Sequence, residues 1–455
     1  MTGKAVSVGG GEVAPGGIVV TQEYTKVRHL LESGCPLVFL TGGAGTGKTT
    51  LIRYLRGALD KKMAVVAPTG VAALNVGGAT IHSFFRLPPK IHEEEDIKLV
   101  HGRKLYQALE ILIVDEVSMV RCDLMDSMDR FLRKNRGHEV PFGGVQVLLI
   151  GDLIQLPPVV PPYEREALKA RGYATPFFFS ARCLQEASLA PVELTHVFRQ
   201  TDRHFVSLLD SLRMGEGLEA ATGEINRHCF RAEASAADLT LTCTNHEADR
   251  INREALGGLD TREHLFQGVI EGKFSIEKDK LPSPMELRLK PGARVMFTRN
   301  DDQKRWVNGT LGVVRQAAEG RLQVELLHAG RGAVLDVQPV SWETIRYTYD
   351  ETQDRIVSQM VGRYTQYPVM LAWAVTIHKS QGKTLDNVLV DLGSGAFASG
   401  QAYVALSRCR TLEGLRLARP IRQSDVTCDP RVKRFHAALA AMGGDGDEEK
   451  DMLSV

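Results

Sequence analysis

The sequence predicts an α/β protein with two parallel-sheet domains and a β-rich insertion, on three observations. Short apolar runs such as PLVFLT, MAVVAP, EILIVDE and VQVLLIGD recur between stretches of helical periodicity, the pattern of strands buried on both faces. The same alternation returns beyond residue 200 at DLTLTCTN, PVMLAWAVT and NVLVDLG. Between those returns, RVMFTRN, WVNGTLGVVRQ, GRLQVELLH and AVLDVQPVSW read as short alternating strands with Asn308-Gly309 as a hairpin-type turn, which predicts a small β-barrel inserted in the second domain.

With 455 residues, 43% of them hydrophobic and 24% charged, the chain has room for two or three domains and is too apolar to be wholly disordered. Residues 1–17 are rich in glycine and small side chains and read as a disordered tail. Residues 18–200 form the first α/β domain, with a small insertion at about 86–108 whose acidic and then basic run reads equally as a solvated helix. The second domain opens over 201–284, is interrupted by the β-rich unit at 285–365 and closes over 366–442, before an acidic disordered tail at 443–455.

Charge is nearly balanced, 56 Lys+Arg against 55 Asp+Glu, so bulk electrostatics gives no reason to expect a nucleic-acid or membrane partner. No apolar run reaches the roughly 18 residues of a transmembrane helix, and the N-terminus lacks the order of a secretion signal, so a soluble, cytoplasmic protein is expected. Seven scattered cysteines with no C-x-x-C pair predict neither zinc nor disulfides.

Gly42-Gly43-Ala44-Gly45-Thr46-Gly47-Lys48-Thr49 matches G-x-x-x-x-G-K-[ST] between a predicted strand and a predicted helix, the context that a phosphate-cradling loop requires. Its glycines let backbone N–H groups face phosphates, Lys48 reaches the β and γ phosphates, and the Thr49 hydroxyl meets Mg²⁺; Thr50 follows in the same turn. The strand Ile111–Val114 ends in Asp115-Glu116, and two adjacent buried carboxylates are costly without a cation. Asp115 is expected to hold Mg²⁺ and Glu116 to activate the attacking water, so together with the phosphate loop the pair predicts hydrolysis of a nucleoside triphosphate. Gln155, after the strand VQVLLIGD, can sense the γ-phosphate, and Arg199 and Arg408 are candidate arginine fingers.

Taken together, these motifs resemble the petite integration frequency family of DNA helicases, in superfamily 1B. The resemblance covers roughly residues 20–425 in the family's order: GGAGTGKT, APTGVAALNVGGATIHSFF, VDEVSM, PFGGVQVLLIGDLIQLPPV, FRQ, TNHEADRIN, LKPGARVMFTRN, VNGTLG, LAWAVTIHKSQGKTLDNVLVDLG and GQAYVALSRCRT. It implies two RecA-like domains with ATP and Mg²⁺ between them, an SH3-like barrel in the second, a wedge insertion in the first, and 5′-to-3′ movement on single-stranded DNA. It also implies that Arg199 and Arg408 act from the second domain and that Gln155 couples phosphate state to closure. Gln22 is the best match to the family's adenine-reading glutamine, and Leu153 stands where an aromatic is frequent. A related translocase of the RecD or relaxase type, with little unwinding of its own, is the alternative.

For DNA, Pro68-Thr69-Gly70 leads into a predicted helix whose N-terminus can accept a phosphate. His82, Ser83 and Phe84 line the single-strand channel by resemblance, with core packing the competing reading for at least one of Phe84 and Phe85; Thr376, His378, Lys379 and Ser380 read as DNA-backbone contacts and cleft coupling, with Asn245 a weaker candidate. Gly382-Lys383-Thr384 is no second P-loop, because the required earlier glycine falls at Ile377. Expected partners are single-stranded DNA and single-strand/duplex junctions, with G-quadruplex DNA a further candidate; no membrane partner is expected, and the chain is expected to act as a monomer.

Overall fold

The computed structural model describes residues 12–14, 17–200, 202–230, 238–274, 276–277, 280–327, 332–396 and 398–442. The expected acidic tail lies outside these residues, as does most of the N-terminal tail. Within the latter, Glu12–Ala14 forms a strand antiparallel to Ile18–Val20, a correction to the expected disorder there, and Gly17 turns the chain between them with φ 76°.

The first sheet is wholly parallel, in the order Ala79–Thr80, Met63–Ala67, Ile111–Val114, Gln146–Ile150, Leu37–Gly42, Leu189–Leu194. Leu37–Gly42 and Ile111–Val114 are buried along their whole length, as their unbroken apolar runs require. One apolar layer beneath the sheet gathers Leu37, Phe39, Leu112, Phe131 and Phe178, and another above it gathers Val38, Leu40, Leu51, Leu55 and Ile113, so alternate residues of each strand serve opposite faces.

The second sheet is also parallel, in the order Ala374–Thr376, Leu239–Thr242, Val388–Asp391, Leu415–Leu417. The run PVMLAWAVT, expected as one strand, is two. Val369–Leu371 pairs with Arg294–Phe297 in an antiparallel five-stranded sheet, and Ala374–Thr376 joins the parallel sheet. Asn252 enforces the break: its side-chain oxygen accepts from the N–H groups of Trp373 (3.1 Å) and Ala374 (2.9 Å) while its amide donates to the Ala374 carbonyl (2.7 Å).

Three antiparallel sheets make up the β-rich region: the five-stranded one, a pair His264–Gln267 and Glu286–Leu289, and a three-stranded one built on the long hairpin Val340–Asp350 and Arg355–Gln366. Asn308-Gly309 sits within the connection between Arg294–Phe297 and Leu311–Ala318, with Gly309 at φ 99°. The hairpin docks on the first sheet. The Tyr347 hydroxyl accepts from the Val65 N–H (3.2 Å), its ring meets Phe84 edge-on, and Lys62–Asp354 (2.7 Å) and Lys104–Glu351 (2.6 Å) are ion pairs at the rim.

Residues 86–108 contain two short helical pieces, Glu94–Asp96 and Lys104–Ala108. Leu87, Ile97, Val100, Leu105 and Tyr106 anchor this segment in the first core. The segment Pro141–Gly144 folds back on the helix Cys122–Arg136, where the Phe142 N–H donates to Asp129 (2.6 Å) from a left-handed backbone.

Candidate active site

In both parallel sheets the candidate residues leave the carboxyl ends of strands, where an open α/β sheet binds ligands. The strand Leu37–Gly42 runs into the loop and then the helix Lys48–Ala58. Gly45 (φ 84°) and Gly47 (φ 93°) are required twice over: their backbone is left-handed, and a Cβ would stand 2.5 Å from the Arg199 Cβ at the first and 2.5 Å from the Tyr24 hydroxyl at the second. The Tyr24 hydroxyl donates to the Gly47 carbonyl (2.7 Å), and Thr46 donates to Gly43 (3.0 Å). Gly47 offers no side-chain cap, so the first-turn N–H groups remain for a phosphate. Lys48 donates to the carbonyls of Gly42 (2.8 Å) and Gly43 (2.9 Å); burial lowers its pKa, while Asp152, Glu116 and Asp115 pull it back up. Thr49 is exposed, Ala44 is buried, and Gly43 and Thr50 are half-buried.

Asp115 is buried at the end of its strand, and burial, then the charge of Glu116, pushes its carboxyl up to about 7. Glu116 sits at φ 51°, a strained backbone for a side chain of its size. Its pKa is also raised by burial, against the fields of Lys48 and Arg408. Neither carboxylate forms an ion pair among the described residues. Two proximal carboxylates left in this state fit a hard divalent cation such as Mg²⁺.

The other side of the cleft is lined by Arg199, which follows the edge strand Leu189–Leu194 of the first sheet, and by residues from the second half of the chain. Arg199 lies against Gly45, with Nε donating to Thr384 Oγ1 (3.1 Å) and Nη1 to the Ser407 carbonyl (3.3 Å). Arg408 is 1% exposed and donates to the Val404 carbonyl (2.9 Å) and Ser407 Oγ (3.0 Å). Burial lowers the pKa of Arg199, and the positive charge of Arg408 lowers it further. A half-buried and a buried guanidinium that repel one another, neither in an ion pair with a carboxylate among the described residues, suit an anion. Gln155 is buried, its amide donating to Asp152 (2.9 Å). Gln22 is exposed at the start of the helix Gln22–Glu32.

Sequence reasoning missed several residues here. Tyr403 accepts from the Ala44 N–H (3.1 Å), Gln381 donates to Glu116 (3.4 Å), and Arg213 lies beside Asp152. Tyr403 and Gln381 stand inside the quoted motifs YVALSRC and HKSQG, a signal that was available; Arg213 stands in an ordinary amphipathic helix and carries none.

The DNA candidates form two groups. In the first sheet Ala67 pairs with Thr80, so Pro68-Thr69-Gly70 and Ile81-His82-Ser83 leave neighbouring strand ends. Thr69 caps the seven-residue helix Gly70–Val76 by accepting from the Ala72 N–H (3.2 Å), and Gly70 lies under Ile276. His82 is half-buried and Ser83 exposed; burial and the neighbouring His92 lower the His82 pKa. In the second sheet Thr376 pairs with Thr242, so His378-Lys379 and Asn245 likewise emerge side by side, and all three are exposed. Thr376 is buried, with Oγ1 accepting from the Lys379 N–H (3.3 Å).

Two expectations are corrected. Phe84, expected to line the channel, is 5% exposed, with Phe85, Tyr106 and Tyr347 edge-on around it, so it is core. Ser380, expected to touch DNA, is 0% exposed and donates to the Ile377 carbonyl (2.7 Å). A motif match fixes position along the chain, and burial decided these two.

This architecture, a P-loop on one parallel sheet with Arg199 beside it and Arg408 reaching in from the unit built on a second, defines a P-loop nucleoside triphosphatase. A model of the PIF1-like helicase family matches residues 21–216. The chain is 33% identical over 428 residues to the ATP-dependent DNA helicase Pif1 of Bdellovibrio bacteriovorus, covering 92% of each. It is 34% identical over 437 residues to the ATP-dependent DNA helicase PIF1 of Xenopus laevis, covering 92% of this chain and 63% of that protein. The crystal structure of Bacteroides sp Pif1 in complex with ADP-AlF4 superposes with a TM-score of 0.86 at 35% identity, covering 94% of this chain and 98% of that one, and the same protein bound to ssDNA gives 0.65. The chain belongs to the PIF1-like helicase family, and it spans a little under two thirds of the Xenopus relative's length.

Proposed function

We propose that this chain is an ATP-dependent DNA helicase that moves 5′ to 3′ on single-stranded DNA. The observation that carries the reading is the meeting of Lys48, Asp115 and Glu116 on one parallel sheet with Arg408 from the second unit, joined by Arg199, which lies against Gly45 and donates across to Thr384 and the Ser407 carbonyl. The names of the relatives, and the ADP-AlF4 and ssDNA complexes of the Bacteroides protein, support it.

In this reading residues 18–200 and the two segments 201–263 and 374–442 are the RecA-like domains, and about 86–108 is the wedge. The β-rich insertion, which includes the SH3-like unit, takes in 264–371 rather than the expected 285–365, because its strands pair across those bounds. The loop from Gly43 to Thr50 cradles the phosphates, with Gln22 beside the base. Thr49 and Asp115 hold Mg²⁺, which supplies charge neutralisation on the phosphate oxygens when bound. Lys48 turns from the Gly42 and Gly43 carbonyls to the phosphates. Glu116, whose proton affinity burial has raised, takes the proton of the attacking water, and Gln155 positions that water. Arg199 and Arg408 stabilise charge on the transferring group, so ATP draws the halves together and hydrolysis relaxes them. DNA runs along Pro68, Thr69, Gly70, His82 and Ser83 in the first half and Asn245, His378 and Lys379 in the second, while Thr376, expected as a contact, is buried and braces the loop through the Lys379 N–H. The reading includes action as a monomer at single-strand/duplex junctions, G-quadruplex DNA as a further substrate, and a cytoplasmic location. Among the described residues, no helix is long and apolar enough to cross a membrane.

Phosphate release from ATP and Mg²⁺, with and without single-stranded DNA, tests the reading: the wild-type chain should be stimulated by DNA. A rate that DNA does not move would contradict it.

A further inference from the structure

Lys383 is a buried cation without a counter-ion. The residue is 8% exposed, and among the described residues its ammonium makes no hydrogen bond or ion pair. Burial pushes its pKa down to about 8, and the charge named beside burial is the like charge of Lys379. Holding an ammonium in this state costs stability in the free protein.

Its neighbours locate it. Gln381 reaches Glu116 (3.4 Å) and Thr384 accepts from Arg199 (3.1 Å), so Lys383 stands in the loop that joins the catalytic cleft to the exposed pair His378-Lys379. On its other side is the β-rich insertion, where a Cβ at Gly309 would stand 3.2 Å from the Lys383 Cβ. Asp152, Glu116 and Asp115, the carboxylates acting on Lys48, are not among the charges acting on Lys383. A cation acted on by a like charge and, among the described residues, in no ion pair with a carboxylate suits an anion.

We propose that Lys383, together with Lys379, binds one backbone phosphodiester of single-stranded DNA at the seam between the Thr376–Thr384 loop and the Asn308-Gly309 turn. This rests on the helicase reading above. It adds a residue that the loop motif does not mark as a DNA contact, and it gives a reason for a lysine to persist where an apolar side chain would stabilise the fold.

The test is equilibrium binding of a fluorescent oligothymidylate across a salt series, with the full chain, Lys383→Met and Lys383→Arg, alongside their melting temperatures and their affinity for a fluorescent ATP analogue. Lys383→Met should melt higher than wild type, bind the oligonucleotide about tenfold more weakly, and lose roughly 0.7 from the slope of log affinity against log salt, the contribution of one phosphate on a single strand. Lys383→Arg, which keeps the charge, should keep the slope. Wild-type affinity and slope in Lys383→Met would overturn the proposal, and so would a loss confined to the ATP analogue, which would assign the lysine to the nucleotide. Failure of the wild-type chain itself to bind the oligonucleotide would sink the helicase reading together with the proposal.

Discussion

Arg213, in the helix Arg203–Met214, stands 3.6 Å from Asp152, a carboxylate with no solvent exposure just beyond the strand Gln146–Ile150. The same carboxylate accepts from the amide of Gln155 (2.9 Å), and Glu193 lies 3.4 Å from Arg213 on its other side. The helix packs in the core of the second sheet through Phe205, Leu208 and Leu212, whereas Asp152 follows a strand of the first. One buried ion pair therefore spans the two halves and holds Gln155.

Arg213→Met should cost about 3–5 kcal/mol of stability, because it strands a buried carboxylate. Adding Asp152→Asn should return a large part of that loss, since the orphaned charge is then gone. Denaturant unfolding of the single and double variants measures both, and equal stability of the single variant and wild type would show the pair to be idle.

Lys48→Ala should abolish DNA-stimulated ATP hydrolysis. Glu116→Gln should retain binding of an ATP analogue and lose turnover by at least about a hundredfold, the scale of a general base. Turnover of Glu116→Gln near the wild-type rate would remove Glu116 from its proposed role.

His82 and Phe84 are two residues apart and should behave differently. Phe84→Ala empties a core position and should cost about 3–5 kcal/mol of stability. His82→Ala should leave stability nearly unchanged and weaken oligonucleotide binding severalfold, at about 1 kcal/mol for one lost base contact. The outcome that counts against the channel placement is unaltered DNA affinity in His82→Ala.

The pH dependence of stability gives a separate reading of Lys383. Its folded pKa of about 8 lies below the ordinary 10.5, and Lys379 is the charged neighbour acting on it. Below pH 8 the group is charged in both states and the burial cost is present in full. Between about 8 and 10.5 the unfolded chain holds the proton that the native chain has released, so the cost shrinks as pH rises. The melting-temperature advantage of Lys383→Met over wild type should accordingly narrow from pH 8 to pH 10; a constant gap would mean that the ammonium is not the source of the difference.

Motifs whose chemistry is local were legible in the sequence. Gly42 to Thr49 and Asp115-Glu116 announce themselves by residue type and spacing between apolar strands, and both parallel sheets followed from unbroken runs such as ILIV. What escaped depends on approach between residues far apart in the chain. Asn252 splits PVMLAWAVT across 121 positions, and Arg213 reaches back to Asp152 from a helix with unremarkable periodicity. The hairpin Val340–Asp350 and Arg355–Gln366 carries mostly half-exposed residues on both faces, so its alternation is weak. Phe84 and Ser380 were misplaced for a related reason: their motifs do not say which side chains point inward.

Unwinding of partial duplexes that carry a single-stranded tail at either the 5′ or the 3′ end, with ATP and Mg²⁺, tests the central claim most directly. The 5′-tailed substrate should be separated and the 3′-tailed one left intact, with Lys48→Ala inactive on both. Separation from the 3′ tail alone, or of neither substrate while ATP is consumed, would contradict a 5′-to-3′ helicase.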